Sequence, residues 1–394
     1  MKLSQRCHLL EPSPTMAINN LAKELAKSGR AIFNLSVGEP DFNTPDLVKA
    51  KAIEAITTNQ SKYTAAGGTQ ELKTAIQQKY IIEFNFTYQL NSITCANGGK
   101  QILYNLFQVL LDADDEVIVF SPYWVSYKTQ VELAGGKLIE VNLSPKNNFS
   151  FDIDLLSQAI TPKTKAILLN SPSNPTGQIL TKENIEAIAD LARKHEIIII
   201  SDDVYESIYF SQHKPTHLLN AATDLSDKLI IVNAVSKTYA MTGWRLGYAL
   251  GPVEIISKME EFQSHSASNP SSISQAAAVA ALSGLQDGVE KMRLAFLERR
   301  SAIITQLDNL IANGSELSYI KPDGAFYLML NITTKKQAEE TDLAFCLDLL
   351  NRTGVAAVPG SSFGQSSEGY IRLSFATDPI IVSQAIDFIS QFRS

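Results

Sequence analysis

Apolar positions along the chain fall into short unbroken runs separated by longer stretches with helical spacing. DEVIVF (115–120), KAILLN (165–170), IIIIS (197–201), LIIVNA (229–234) and GYALG (247–251) are β-branched runs bounded by turn formers, which predicts strands. Between them KENIEAIADLARKH (182–195) carries the spacing of an amphipathic helix. Strands that are apolar at nearly every position, with no alternation, belong to a sheet covered on both faces. The middle of the chain is therefore expected to be α/β, a mostly parallel sheet sandwiched by helices. No internal repeat, low-complexity tract or long linker interrupts the rhythm.

Ligands of such a sheet sit beyond the carboxyl ends of its strands, and polar residues gather there. KAILLN runs into NSPSNPTG (170–177), whose prolines and glycine stop both strand and helix and present Asn174. IIIIS ends at Asp202 with Tyr205 three residues on; read alone, Asp202 is as good a helix N-cap as a functional acid. LIIVNA continues into VSKTYAMTGWRLG (235–247), which sets Ser236, Lys237 and Arg245 at a further strand end. A lysine in such a loop is by default a solvated surface group.

Composition narrows the field. The chain has 394 residues, 45% apolar and 19% charged, as in an ordinary globular protein with two or three domains. Its net charge of -7 argues against a broad footprint for nucleic acid or anionic lipid, so any anionic ligand must be gripped by a few placed cations. Cys7, Cys95 and Cys346 are odd in number and widely spaced, fitting neither a disulfide framework nor a zinc cluster, and no metal is expected. The first residues lack the apolar stretch of an export signal, and no run approaches the roughly 18 apolar residues that span a bilayer. A cytoplasmic protein without membrane or nucleic-acid partners is expected.

One chemistry uses all of the strand-end groups together: a lysine that forms a Schiff base, an acid for a ring nitrogen, donors for a phenolate and a cradle for a phosphate. With SVGEPDF (36–42), KYTAAGGTQELK (62–73), ANGGKQILYNLF (96–107), SPYWVSY (121–127) and YIRLSFA (370–376), these segments resemble the class I/II aminotransferases over nearly the whole chain. The resemblance implies a fold-type I enzyme dependent on pyridoxal 5'-phosphate. Its large domain would cover 48–285, and a smaller α+β domain, 1–47 with 286–394, would close over the substrate.

By the same resemblance, Lys237 carries the cofactor and then serves as general base at the substrate Cα. Asp202 pairs with the ring nitrogen, Tyr205 and Asn174 donate to the phenolate oxygen, and Trp124 stacks on the ring in place of being an ordinary core aromatic. Gly98 and Gly99 permit close backbone approach to the phosphate at a helix start, joined by Ser236 and Arg245. Tyr63 reaches the phosphate of a neighbouring subunit's cofactor, so a homodimer with shared active sites is implied. Arg372 grips the α-carboxylate of the substrate, with the Gly38 backbone in the segment that closes over it.

Side-chain preference follows from the relatives that share SPYW and GGKQ, the prokaryotic aspartate aminotransferases. In these the distal carboxylate is read by Ser13, Thr15 and Lys100. Transfer from L-aspartate to 2-oxoglutarate is the resulting expectation, with an aromatic, kynurenine-type or prephenate-accepting aminotransferase, or a lyase of the same fold, as the alternative. Glu11 stands where relatives that accept prephenate carry a basic residue, which argues against much prephenate turnover. His265 is a further pocket candidate, equally at home packed or in solvent. A transcription regulator's sensing domain is disfavoured by the short segment before Pro12 and by the lack of a basic stretch. A nicotinamide dehydrogenase lacks its G-x-G-x-x-G, which GGTQEL and GGKQIL do not supply.

Overall fold

The structure, a computed structural model, describes residues 2–10, 14–284 and 286–393. Seven strands form its central sheet: β1 (Ile93–Ala96), β2 (Glu116–Ser121), β3 (Lys137–Asn142), β4 (Thr164–Asn170), β5 (Ile198–Asp202), β6 (Leu229–Ala234) and β7 (Gly247–Leu250). Their order is β1-β7-β6-β5-β4-β2-β3, with β7 antiparallel to both neighbours and the remaining pairs parallel.

The two faces explain why the strands are continuously apolar. Ile118, Ile167, Leu169, Ile199 and Ile231 point into one buried cluster, while Val117, Val119, Leu168, Ile200 and Val232 point into another on the opposite face. Successive residues of β2, β4, β5 and β6 are thus removed from water on opposite faces, which at about 25 cal/mol per Å² of apolar area favours a covered sheet over an exposed one. Helices supply the cover. Lys182–His195 starts at a capping box, Thr181 receiving the Asn184 N–H while Asn184 receives that of Thr181, and buries Ile185, Ile188, Ala189 and Ala192.

A third buried cluster draws on both ends of the chain, joining Ile18, Ala22 and Leu35 to Phe296, Leu349 and Ile386. Its sheet contains β8 (Ser318–Ile320), β9 (Tyr327–Asn331), β10 (Val358–Pro359) and β11 (Tyr370–Ser374), in the antiparallel order β10-β11-β9-β8. The register sets Arg372 opposite Met329 and Tyr327 opposite Ser374. Phe33–Asn34 pairs in parallel with Val355–Ala356, which ties the segment leading to Gly38 to this second unit. Among the described residues no helix is long and apolar enough to cross a membrane.

Candidate active site

The strand ends deliver their polar residues to one place. Asn170 at the end of β4 is the register partner of Asp202 at the end of β5, and β6 lies next, running into the short helix Val235–Thr238. A cavity of about 320 Å³ opens there, lined on this side by Asn174, Asp202, Tyr205, Ser236, Lys237 and Arg245. Thr15, Gly38, Gly99, Lys100, Trp124 and Arg372 complete it from other parts of the chain.

Lys237 Nζ donates to the Gly38 carbonyl at 2.5 Å. Burial lowers its pKa to about 8, and the Arg372 and Arg245 charges push the same way, against the pull of Glu39 and Asp202. Asp202 is buried, and burial pushes its carboxyl up to about 6 even though the Tyr127 O–H donates to its Oδ2 at 2.6 Å and favours the charged form. Lysine and acid are thus both shifted toward neutrality by a dry site.

Arg372 is 4% exposed and sandwiched between the rings of Tyr327 (4.5 Å) and Phe363 (5.0 Å). Its Nη1 donates to Asn174 Oδ1 at 2.9 Å and its Nη2 to the Ser36 carbonyl at 2.8 Å. Neither partner carries a negative charge, and Nε is buried without a hydrogen-bond partner. A buried guanidinium compensated so incompletely is a site for an anion. Asn174, having turned Oδ1 to the arginine, has its Nδ2 donor left for the cavity.

Two residues without an assigned role in the sequence reading emerge. Tyr127 holds Asp202 and meets Trp124 edge-on at 5.4 Å; its three-residue spacing from Trp124 at a helix start was the available signal. Tyr327 shares a 2.7 Å hydrogen bond with Tyr205, hydroxyl to hydroxyl. It also explains Gly38: a Cβ there would lie 2.1 Å from the Tyr327 hydroxyl. No local pattern announces Tyr327, because Gly38, Tyr205 and Arg372 reach it from distant parts of the chain.

Gly98 adopts φ 95° immediately before the helix Gly99–Leu110, and a Cβ at this position would lie 2.4 Å from Arg245 Nη2. Backbone amides and a guanidinium are therefore packed together at a helix start, the arrangement that binds phosphate. Lys100 Nζ lies over the Trp124 ring at 4.9 Å, and burial followed by the Arg245 charge lowers its pKa. With Lys100, Lys237, Arg245 and Arg372 against Asp202, the cavity carries a surplus of positive groups suited to an anionic cofactor and substrate. These donors, the tolerance for close approach and the amine fit pyridoxal phosphate.

Two expected residues among those described, Tyr63 and His265, do not line the cavity of this chain. Tyr63 is 89% exposed, His265 is exposed at the end of the helix Val253–Ser264, and Ser13 lies outside the described residues, as does Glu11. Asp203, Glu206 and His217 also cluster beneath the site. Lys79 Nζ donates to Glu206 Oε1 at 2.6 Å, and His217 Nδ1 accepts the Leu219 N–H, which leaves Nε2 as the donor to Asp203 Oδ2 at 2.7 Å. One atom of each of the three side chains is thus already engaged, by the Lys79–Glu206 ion pair or by the His217–Asp203 hydrogen bond.

Fold and cavity together define a fold-type I enzyme, and the profile of aminotransferase class I and II matches residues 30–389. The chain belongs to that family and is an aminotransferase. It is 42% identical over 395 residues to an aspartate aminotransferase of Bacillus subtilis, covering 100% of this chain and 99% of that one. It is also 42% identical over 403 residues to an aspartate/prephenate aminotransferase of Nitrosomonas europaea, covering both chains fully. The aspartate aminotransferase of Thermus thermophilus solved with maleate superimposes with a TM-score of 0.93 at 37% identity, over 100% of each chain.

Proposed function

We propose that the protein is a pyridoxal-phosphate-dependent aspartate aminotransferase, moving the amino group of L-aspartate to 2-oxoglutarate to give oxaloacetate and L-glutamate. The observation that carries this reading is one cavity holding an amine lowered to about 8, a buried acid and a buried arginine with an unpartnered N–H. When bound, pyridoxal phosphate supplies a carbonyl carbon for exchange of amino groups and a ring that accepts electrons.

Each residue then has a task that its surroundings suit. Lys237 would hold the cofactor covalently and, once freed, take the proton from the substrate Cα, which an amine with a pKa near 8 does better than one near 10.5. Asp202 would pair with the ring nitrogen, steadied by Tyr127. Tyr205 and Asn174 would donate to the phenolate oxygen, and Trp124 would cover the ring. Gly98, Gly99, Ser236 and Arg245 would hold the phosphate, joined by Tyr63 of a second subunit in a homodimer. Arg372 would fix the α-carboxylate, and Lys100 with Ser13 and Thr15 would take the distal one. The 1–47 and 286–394 segments are read as the closing domain and 48–285 as the cofactor domain, in a cytoplasmic enzyme of small-molecule amino and 2-oxo acids. Closure excludes water from the deprotonated Cα.

Aspartate is favoured by the relatives' names together with a cavity rich in cations, and prephenate activity is the second reading because some relatives carry both names. Glu11 argues for little of it. The test is the visible spectrum of the holoenzyme before and after aspartate, without any keto acid. Conversion of the aldehyde-form band to the amine-form band is expected, and no conversion in Lys237→Ala. An unchanged wild-type band would remove aspartate as substrate, near-normal turnover in Lys237→Ala would remove the mechanism, and prephenate turnover comparable to that of oxaloacetate would overturn the narrower specificity.

A further inference from the structure

A second cavity, of about 380 Å³, lies against the first, and Tyr127, Asn170 and Asn174 line both. It runs past the carboxyl ends of β2 and β4 at Phe120 and Leu169, the side of the sheet at which α/β folds take ligands. Phe120, Tyr123, Phe149, Phe151 and Leu180 form its apolar wall, and Ser150, Thr181 and Asp323 are its exposed rim.

The two cavities differ in charge. Among the described residues four cations line the first, whereas no lysine or arginine lines the second and its one carboxylate is Asp323. Arg300 Nη2 lies 3.7 Å from that carboxylate, but its Nε is committed to the Pro322 carbonyl at 2.6 Å and its guanidinium lies over Phe210. Burial outweighs Arg300 and Lys321 and raises the Asp323 pKa, while the exposed carboxylate keeps its contact with water. A dicarboxylate or phosphate would find no counter-charge here. A cation would find Asp323 at the rim and aromatic rings behind it.

We propose that this cavity binds a small aromatic molecule bearing a positive charge, and that its occupancy is felt in the neighbouring site through the shared wall. Tyr127 is the donor to Asp202, and Asn174 is the acceptor for Arg372. A ligand that moves either one changes a group of the first cavity. The binding part is independent of the aminotransferase reading, and only the coupling rests on it.

Benzyltrimethylammonium is a suitable probe: it has a ring, a fixed charge and no N–H to react with a carbonyl cofactor. Calorimetric titration into the holoenzyme is expected to give saturable binding of one equivalent per chain, with phenylacetate giving none. Leu180→Trp, which fills the cavity, is expected to abolish binding, and Asp323→Asn, at the exposed rim, to weaken it roughly tenfold by removing the only lining charge. Asp323 lies outside the first cavity, so Asp323→Asn keeps the wild-type rate of the aspartate half-reaction without probe, and Leu180→Trp is compared with its own probe-free rate. Saturating probe is expected to change that rate about twofold or more in wild type and not in Leu180→Trp. No saturable heat, equal binding of phenylacetate, or unaltered affinity in Asp323→Asn would overturn the site; binding with an unaltered rate would overturn the coupling. Absence of any half-reaction before the probe is added would count against the aminotransferase reading alone.

Discussion

Asp202 costs the empty protein stability, and the sign of that cost is testable. A carboxyl with a pKa of about 6 in the fold against an ordinary 3.8 binds more protons folded than unfolded between those values. Stability therefore falls as pH rises through that window, and the penalty is fully present above it. Its size is roughly 2–3 kcal/mol at most. The attraction between Asp202 and Lys237 is the smallest of the effects acting on either group, so it does not reverse the sign. Cofactor-free Asp202→Asn, which can still accept from Tyr127, is expected to be more stable than wild type by roughly 1–3 kcal/mol at pH 8 and no more stable at pH 4. Thermal melts at the two pH values measure this, and equal melts at pH 8 would mean that the acid is not desolvated. Residues such as Asp202 and Lys237 were legible in the sequence because each lies at, or within three residues of, the end of an apolar strand. Tyr327 was not, because its place depends on β9 pairing with a strand about 40 residues later.

At the scale of elements, the phosphate cradle depends on a strand, a turn and a helix meeting closely. Gly247 at the start of β7 packs so near Gly99 that a Cβ would lie 2.3 Å from its amide nitrogen, and Gly98 leaves equally little room beside Arg245. Gly98→Ala would combine a left-handed φ with a clash, costing about 1–2 kcal/mol locally and displacing the guanidinium. Cofactor affinity is expected to fall at least about tenfold with little loss of secondary structure. Titration of the apo variant with pyridoxal phosphate, alongside circular dichroism, checks both, and unchanged affinity would move the phosphate elsewhere. The predicted runs agree with β2, β4, β5, β6 and β7 to within one or two residues, and the 182–195 helix agrees fully. The reversed direction of β7 was not legible, since a short apolar run buried on both faces looks the same either way. The helix Ser272–Gly284, rich in alanine and buried on several sides against Asp46–Thr57 and Gln70–Phe84, gave no amphipathic signal for the same reason.

For the whole molecule the open question is whether one chain makes a complete site. Tyr63 is 89% exposed and far from lining its own cavity, and Leu47, Ile53 and Ile56 on the helix Asp46–Thr57 are also exposed, an apolar surface consistent with a partner subunit. If Tyr63 serves the opposite site, the defects of Lys237→Ala and Tyr63→Ala lie on different chains and complement each other. A mixed dimer would contain one site with Lys237 from the Tyr63→Ala chain and Tyr63 from the Lys237→Ala chain, wholly native, and one site lacking both. Random reassociation of equal amounts makes about half of the dimers mixed, each with one good site of two, so activity should recover to about a quarter of wild type. Each variant alone should stay well below that level. Activity no greater than the average of the two separate variants, in a mixture shown by mass to contain mixed dimers, would mean that Tyr63 acts within its own chain or not at all, and the shared-site reading would fall while the roles of Lys237, Asp202 and Arg372 stood.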